Sequence, residues 1–408
     1  MSLEQRLAWR NVWRNRRRTG LCVAATVFAV FLVVLSVAMA DGSHEKMIED
    51  GVRMQSGHIT VTGVGYLDDR TLERFVVLSP ELSSRLEDEP AVLGWTPRLT
   101  SFALLSEDTA SQGSVILGVD PETEGGVSTL PERVALGRFL AAGGSREIVL
   151  GARLADSLGA RLGDEILVYG VAYSLETAYE LFTLVGTLKL PNPELERSLA
   201  VIDLADAQDF YVYGDRLTEI AVRLESADDV GPVRDALAVG LTEAEVHTWD
   251  ELMPELEQFV VLDDAGMYIM LVILIVVVGF GILNTILMAI LERVRELGMM
   301  MALGLRPGAV FRVVYWESIF VAGVGLVIGL ALAVPTVAYF VANPIPLTGD
   351  AMSGMTELVG MEPVITFELE FSNPIVSALT ILVVGLIAAF YPALKASRGR
   401  PVDALRSL

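Results

Sequence analysis

Residues 267–290 read MYIMLVILIVVVGFGILNTILMAI and carry no charged side chain. The residues that follow, LERVRELGMMMALGLRPGAV at 291–310, are different in character. Their charged residues are Glu292, Arg293, Arg295, Glu296 and Arg306. A helix rises about 1.5 Å per residue, so about 20 apolar residues cross the hydrocarbon core of a bilayer. The first stretch therefore predicts a membrane span, and the second predicts a polar connection to the next span.

Three other stretches also have the length and composition of membrane helices, although the chain carries a net charge of −22. A bilayer interior offers the backbone no hydrogen-bond partner, so each stretch is expected to be helical. The predicted spans are 20–40, 266–291, 311–342 and 374–393. Arginines before the first span and small residues at its end are also typical of a cleaved signal peptide, but an apolar run of about 20 residues favours a retained span.

The single cysteine, Cys22, begins the apolar run of the first span. A lipoprotein cleavage site would follow such a run, so a buried thiol in a membrane helix is the simpler interpretation. Because there is one cysteine, the chain forms no intrachain disulfide.

Basic residues indicate which side of the membrane each connection occupies, because Lys and Arg concentrate in cytoplasmic segments. Three basic groups fall on one side of a four-span arrangement, and residues 343–373 contain neither Lys nor Arg. The basic residues are Arg6, Arg10, Arg14, Arg16, Arg17 and Arg18, then Arg293, Arg295, Arg306 and Arg312, then Lys395, Arg398, Arg400 and Arg406. Both termini and 292–310 are therefore predicted to be cytoplasmic, with 41–265 and 343–373 outside.

The outer stretch 41–265 is long enough for a core of its own. It holds 42 Asp and Glu against 16 Lys and Arg, so the acidity of the chain lies there. We interpret that charge as a solvated surface, with attraction of a basic partner as the alternative. Alternating β-branched runs predict strands and amphipathic runs predict helices, without strict βαβ alternation, so the fold class is an α+β membrane protein. The predicted strands are 56–63, 114–120, 147–151, 165–170, 179–188 and 218–224; the predicted helices are 81–90, 151–159 and 227–241, with 250–259 leading into the second span.

Motifs for catalysis and metal binding are missing from the sequence. It contains no phosphate loop, no dinucleotide fingerprint and no G-x-S-x-G nucleophile elbow. Its histidines, His44, His58 and His247, are scattered, and the spans carry no ionisable residue at mid-depth. We therefore predict no catalytic residue, no metal site, no cofactor and no enzymatic activity in this chain alone.

The charged connection retains helical character. Apolar and small residues keep helical spacing past Leu291, and Arg293 and Glu296 are three residues apart. Gly304 suits a helix C-cap and Pro307 suits the first turn of a new helix. The small residues Gly298, Ala302 and Gly304 are expected to leave backbone accessible to a partner. A solvated turn would need only about four residues, so we interpret 292–310 as a docking element.

Several motifs resemble those of ABC-transporter permeases of the MacB/FtsX/LolC–LolE superfamily. The coupling region of that family resembles NTILMAILERVRELGMMMALG at 284–304, its amphipathic elbow helix resembles LAWRNVWRNRRRTGL at 7–21, and its C-terminal signature resembles YPALKASRGRPVDALRSL at 391–408. The lipoprotein-releasing LolC/LolE branch is the most similar at MQSGHITVTGVGYLDD (54–69), EIVLGARLADSLGARLGDEI (147–166) and GTLKLPNPELERSLAVIDLADAQ (186–208). One departure is Met301, where the family often has an arginine.

The resemblance implies a permease subunit of the bacterial inner membrane, with an elbow helix at 1–19, a coupling segment at 292–310 and a cytoplasmic tail at 394–408. It implies a second permease, copy or paralogue, and a cytoplasmic ABC ATPase dimer that binds ATP and magnesium. Lipoprotein or lipid cargo and a periplasmic carrier or adaptor are the other implied partners, and nucleic acid is not one. The implied ATPase-coupling residues are Glu292, Arg295, Glu296, Gly298, Met301, Ala302, Leu303 and Gly304.

Cargo in this family is thought to be moved from the outer leaflet or periplasm, so an apolar groove between the first two spans is expected near their outer ends. The candidate groove residues are Val33, Val34, Val37, Met267, Ile269 and Met270; lipid-facing or packing residues are the alternative for each.

Two other functions of the superfamily stay open: export of a small hydrophobic compound or peptide, as in MacB, and signalling to a cell-wall hydrolase, as in FtsX. The size of the outer stretch argues against the FtsX type, and the lack of an ATPase in the sequence argues against the MacB type. A membrane-anchored adhesion or sensor domain would leave 292–310 unexplained.

Overall fold

A computed structural model of the chain describes residues 2–14, 16–54, 56–302, 305–346, 364–369 and 372–397. The described residues form two units, one from residues up to 44, 260–346 and 364 onward, and the other from 45–259. We call the first the membrane unit and the second the outer domain.

The helices are α1 (Leu3–Arg14), α2 (Arg16–Met54), α3 (Pro80–Asp88), α4 (Glu124–Val127), α5 (Ala152–Leu158), α6 (Pro193–Ser198), α7 (Leu204–Phe210), α8 (Val230–Ala238), α9 (Trp249–Leu252), α10 (Pro254–Leu291), α11 (Val294–Ala302), α12 (Pro307–Ala342) and α13 (Ser372–Ser397). The strands are β1 (Ile59–Gly63), β2 (Val76–Val77), β3 (Val92–Glu107), β4 (Ala110–Val119), β5 (Val134–Gly137), β6 (Glu147–Gly151), β7 (Glu165–Val171), β8 (Thr177–Leu188), β9 (Leu199–Asp203), β10 (Arg216–Leu217), β11 (Glu219–Leu224), β12 (Ala244–Thr248), β13 (Ile345–Pro346) and β14 (Val364–Ile365). Short 3₁₀ turns lie at Leu130–Arg133 and Ala227–Asp229.

The outer domain contains a sheet of ten strands that closes on itself. Strands β3, β4, β9, β6 and β8 pair in that order, and β7 pairs with both β8 and β3. The closed part is therefore a small barrel. Its interior is apolar because alternate residues point inward; Ile166 and Val168 of β7 and Phe182 and Leu184 of β8 are all buried.

A second layer extends from β3. Strands β11, β1 and β12 continue the sheet in that order, and α3 and α8 pack their buried faces on it. Helix α3 begins at Pro80, where the Ser79 hydroxyl accepts a hydrogen bond from the Leu82 amide at 3.2 Å. The α+β class predicted from the sequence is confirmed, with a closed barrel that the sequence did not reveal.

The predicted outer elements occur in the structure at nearly the expected positions. Helix α5 ends at Leu158, and Gly159 follows it with a φ of 73°, the left-handed conformation that favours glycine. One expectation fails in detail, because residues 250–259 are broken between α9 and α10 at Met253. Several elements were not predicted, among them β3, the longest strand.

Four described helices are long and apolar enough to cross a membrane, as expected: α2, α10, α12 and α13. All four are longer than the predicted spans, and α2 and α10 differ most, since α2 continues to Met54 and α10 begins at Pro254.

Small residues allow α12 to approach α2 closely. A Cβ on Gly325 would lie 2.6 Å from Thr26 Cβ, and one on Gly329 would lie 2.7 Å from Val30 Cβ. Either contact is shorter than side chains tolerate, so both positions require glycine. The spacing is the small-xxx-small pattern of packed membrane helices, where close backbone approach replaces the hydrophobic effect as the source of association. The sequence carries this signal in the spacing of Gly325 and Gly329.

Candidate coupling site

The charged connection forms a separate helix. Helix α10 ends at Leu291, Glu292 and Arg293 form a turn, and α11 begins at Val294. The Arg293 amide donates to the Ile290 carbonyl at 2.9 Å, and the Leu297 amide donates to the Arg293 carbonyl at 3.0 Å. The helical character expected past Leu291 is present, but in a separate helix that follows the turn. Helical spacing persists across the turn, so sequence periodicity could not reveal the break.

One face of α11 packs against the membrane unit. Leu297 is buried in a cluster with Val310 and Val314 of α12 and with Ala393 and Ala396 of α13. Met300 and Met301 are partly buried against the same cluster. Gly298 is also buried, so the expectation that its backbone is open to a partner does not hold, because that face of the helix already has intramolecular neighbours.

The opposite face of α11 is exposed, as is Glu292 of the turn before it. Among the predicted coupling residues, this face carries Glu292, Arg295, Glu296 and Ala302. Met299 is exposed beside them. Leu303 and Gly304 lie outside the described residues. Pro307 occupies the first turn of α12, as predicted.

A chain of ion pairs ties the turn and α11 to two other helices. Arg293 Nη1 lies 3.0 Å from both carboxylate oxygens of Glu317 on α12, and Arg293 Nε lies 3.1 Å from Glu296 Oε2. Glu296 also pairs with Arg14 of α1. The hydrogen bond from Arg14, assisted by Arg293, lowers the pKa of Glu296 despite its partial desolvation. Our site prediction included Glu296 but missed Arg14, Arg293 and Glu317.

A second tie joins α1 to α12. The Arg312 guanidinium bonds both oxygens of Glu4, with its Nε 2.8 Å from Oε2 and its Nη2 2.7 Å from Oε1. These hydrogen bonds lower the pKa of Glu4. In the sequence, each of these ion pairs was indicated only by an acidic residue near basic ones. That composition does not identify which residues pair.

The candidate groove residues are not on one surface. Val33 and Val34 are buried with Ala333 and Val337 of α12, whereas Ile269 and Met270 are more than half exposed. Val37 and Met267 are intermediate. Some of these residues therefore pack between helices, and others lie on an exposed face of α10. The groove stays a prediction.

The outer domain carries an apolar groove that was not predicted from the sequence. It has a volume of about 650 Å³. Its rim includes Phe102, Leu104, Tyr169, Val171 and Leu175, which are all 44–79% exposed. Leu104 pairs with Tyr169 across β3 and β7, which places these side chains on the barrel face opposite the core. A signal was present in EILVYGV, which is apolar at both alternating sets of positions.

Comparisons with known proteins agree with this architecture. The FtsX-like permease C-terminal family matches residues 268–401, and the MacB-like periplasmic core domain family matches residues 19–239. LolC of Xylella fastidiosa, a lipoprotein-releasing system transmembrane protein, is 25% identical over 95% of this chain and 92% of its own length. LolE of Haemophilus influenzae is 23% identical over 98% of both chains. The macrolide export ATP-binding/permease protein MacB of Psychrobacter cryohalolentis is 22% identical over 96% of this chain but 57% of its own length.

The periplasmic core family covers more than half of the chain and the FtsX-like family covers most of the remainder. The chain therefore belongs to the MacB/FtsX/LolC–LolE superfamily of ABC-transporter permeases, and it is similar to LolC and LolE over nearly their whole length.

Proposed function

We propose that this permease subunit releases lipoprotein or lipid from the membrane, driven by ATP hydrolysis in a separate ATPase subunit. One observation carries the proposal. The likeness to the lipoprotein-releasing proteins extends over 92% and 98% of their length, whereas that to the MacB exporter extends over 57% of its length. The second permease would be another copy of this chain or a paralogue, and the ATPase would bind ATP and magnesium.

The structure of α11 supports a docking role for its exposed face. Glu292, Arg295, Met299 and Ala302 face away from the cluster that holds Leu297, so a cytoplasmic ATPase dimer has a surface to engage. Force applied there acts on α12 and α13, against which α11 packs. Helices α2 and α10 each include residues of both units, which provides continuous helices through which movement is expected to reach the outer domain.

The apolar groove of the outer domain supports a partner on that side. Exposed apolar patches of this kind on soluble surfaces commonly mark interaction sites. Phe102, Tyr169 and Leu175 project from a domain that is otherwise strongly acidic. A periplasmic carrier or adaptor with an apolar surface rimmed by basic residues fits this groove.

MacB-like export of a small hydrophobic compound or peptide is the second candidate. It is favoured by the match to the MacB-like periplasmic core domain and by an alignment to MacB over nearly the whole of this chain. FtsX-like signalling to a hydrolase has support only from the match at 268–401.

The test is a release assay. The chain is reconstituted with its ATPase and second permease in proteoliposomes that contain a fluorescent triacylated protein, and an apolar-pocket carrier is supplied outside. We expect release that requires ATP and the acyl chains, with no ATP hydrolysis by this chain alone. ATP hydrolysis stimulated by small hydrophobic compounds, without release of the acylated protein, would favour the exporter.

Topology is tested by cysteine labelling in a Cys22→Ser background. Ser111 is exposed in the outer domain and Gly308 is exposed at the start of α12. With the orientation that the basic residues predict, an impermeant thiol reagent should label Ser111→Cys in spheroplasts and should label Gly308→Cys only after the membrane is broken. Labelling of Gly308→Cys from outside would reverse the orientation.

A further inference from the structure

The turn between α10 and α11 interrupts the helical hydrogen bonding that would make the two helices one rigid rod. Movement of α11 is therefore not transmitted to α10 through a continuous helix. Arg293 occupies this turn, and its guanidinium contacts Glu317 on α12 as well as Glu296 on α11. A single side chain thus links the turn, α11 and the third span.

The Arg293–Glu317 pair is well shielded from solvent. Each side chain is 14% exposed, whereas Glu296 is 47% and Arg14 is 59% exposed. Both carboxylate oxygens of Glu317 lie 3.0 Å from Arg293 Nη1. Shielded pairs are screened less by salt than exposed pairs and hold a more defined geometry. Of the ion pairs around α11, this one is the best suited to transmit a displacement.

Beside the pair lies a small cavity of about 40 Å³, lined by residues of α2, α10, α11 and α12. Arg293 and Glu317 both line it, and Thr19 and Ser318 add hydroxyl groups. The pair therefore lies where the inner ends of these helices converge, and its loss would act on the junction as a whole.

We propose that Arg293 is a positioning residue that makes α11 and the inner end of α12 move as one body, so that the ATPase stroke enters the membrane through the third span. This inference rests on the proposed function, in which an ATPase docks on α11. The pair replaces the stiffness that the turn at 292–293 removes.

The variant that tests the proposal is Glu317→Gln. It removes the α12 charge with little change in shape and leaves Arg293 paired with Glu296, so folding should be retained. Arg293→Lys keeps the positive charge. It should therefore retain much of the pairing with Glu317 that Arg293→Gln loses. The matched control is Arg10→Gln, because Arg10 is an exposed arginine of α1, four residues from Arg14.

Two readouts apply to the full chain in nanodiscs, in the Cys22→Ser background. Spin labels at Met299 of α11 and Val327 of α12, both exposed, report the distance between the helices. We expect a narrow distance distribution for the unaltered pair and for Arg10→Gln, and a broad one for Glu317→Gln and Arg293→Gln. With the ATPase added, release per ATP hydrolysed should fall about 2- to 30-fold in the broadened variants while ATPase binding is unchanged.

Equal distance distributions in all variants would overturn the positioning role, as would a broadened variant with unchanged coupling. Failure of the proposed function is a separate outcome. If the unaltered complex hydrolyses ATP but releases no acylated protein, the cargo is wrong, and the distance distributions still decide the role of Arg293.

Discussion

Replacing Arg98 with alanine is expected to lower the free energy of unfolding of the outer domain by about 3–5 kcal/mol, because it leaves a buried carboxylate without its cation. Arg98 and Glu124 are 1% and 0% exposed. Arg98 Nη2 lies 2.6 Å from Glu124 Oε1, and Nε lies 3.1 Å from Oε2. The Ser128 hydroxyl donates to the same carboxylate.

The position of Arg98 in the sheet adds to the expected effect. Residue 98 pairs with Glu219 on β11 and with Val119 on β4, so β3 passes there from the α/β layer into the barrel. Its guanidinium also reaches the Glu219 carboxylate at 3.8 Å. Loss of Arg98 should therefore weaken the junction between the helix-covered part of the sheet and the barrel. It should also leave the buried Glu124 carboxylate without its cation.

Hydrogen–deuterium exchange of β3 peptides in the full-length protein, followed across a urea series, measures this effect. The matched control is Arg234→Ala, which removes a solvent-accessible arginine from its pair with the exposed Asp235 in the same domain. Because exposed pairs contribute about 0–1 kcal/mol, that variant should change the unfolding free energy little. The double variant Arg98→Met with Glu124→Gln should be more stable than Arg98→Met alone. Similar losses for Arg98→Ala and Arg234→Ala would show that the buried pair contributes no more than a surface pair.

Local sequence patterns predicted those elements whose signals are local. Strand β1 follows from alternation, and the end of α5 follows from Gly159. Strand β3 was missed because Gly94, Pro97 and a polar run interrupt its alternation. It forms a hairpin with β4, and its pairings with β7 and β11 join residues far apart in the chain. Closure of the barrel depends on the same non-local pairings, so no single segment could reveal it.

In the coupling site too, local contacts were predictable from the sequence and long-range contacts were not. The charged pair Arg293 and Glu296, three residues apart, was recognised from spacing. The partners Glu317 and Arg14 are 24 and 282 residues away from their ion-pair partners, and spacing carries no information on either. Gly298 was recognised as small, but smallness fits a contact within the chain as well as one with a partner. Gly298 is buried within the chain, whereas Ala302 is exposed. Ala302 is therefore the residue at which contact with the ATPase is tested.

Ala302→Trp is expected to weaken binding of the ATPase, whereas a bulky residue at Gly298 would first disturb the packing of α11 on its own chain. Ala302 is exposed on α11, so a larger side chain there should leave the membrane unit folded. If the ATPase closes tightly on this face, the added bulk must be accommodated at the interface. Overpacking at a close contact costs about 1–3 kcal/mol, which corresponds to about a 5- to 150-fold rise in the dissociation constant.

Affinity is measured by titrating the ATPase onto the full-length permease in nanodiscs. Ala141→Trp, at an exposed alanine of the outer domain, is the matched control and should bind normally. Glu292→Gln should have a smaller effect than Ala302→Trp, because an exposed charge contributes little once it is screened by salt. Normal binding by Ala302→Trp together with loss of binding by Glu292→Gln would contradict the prediction. The ATPase would then recognise the charges at the turn, and the exposed small face of α11 would not be the surface it contacts.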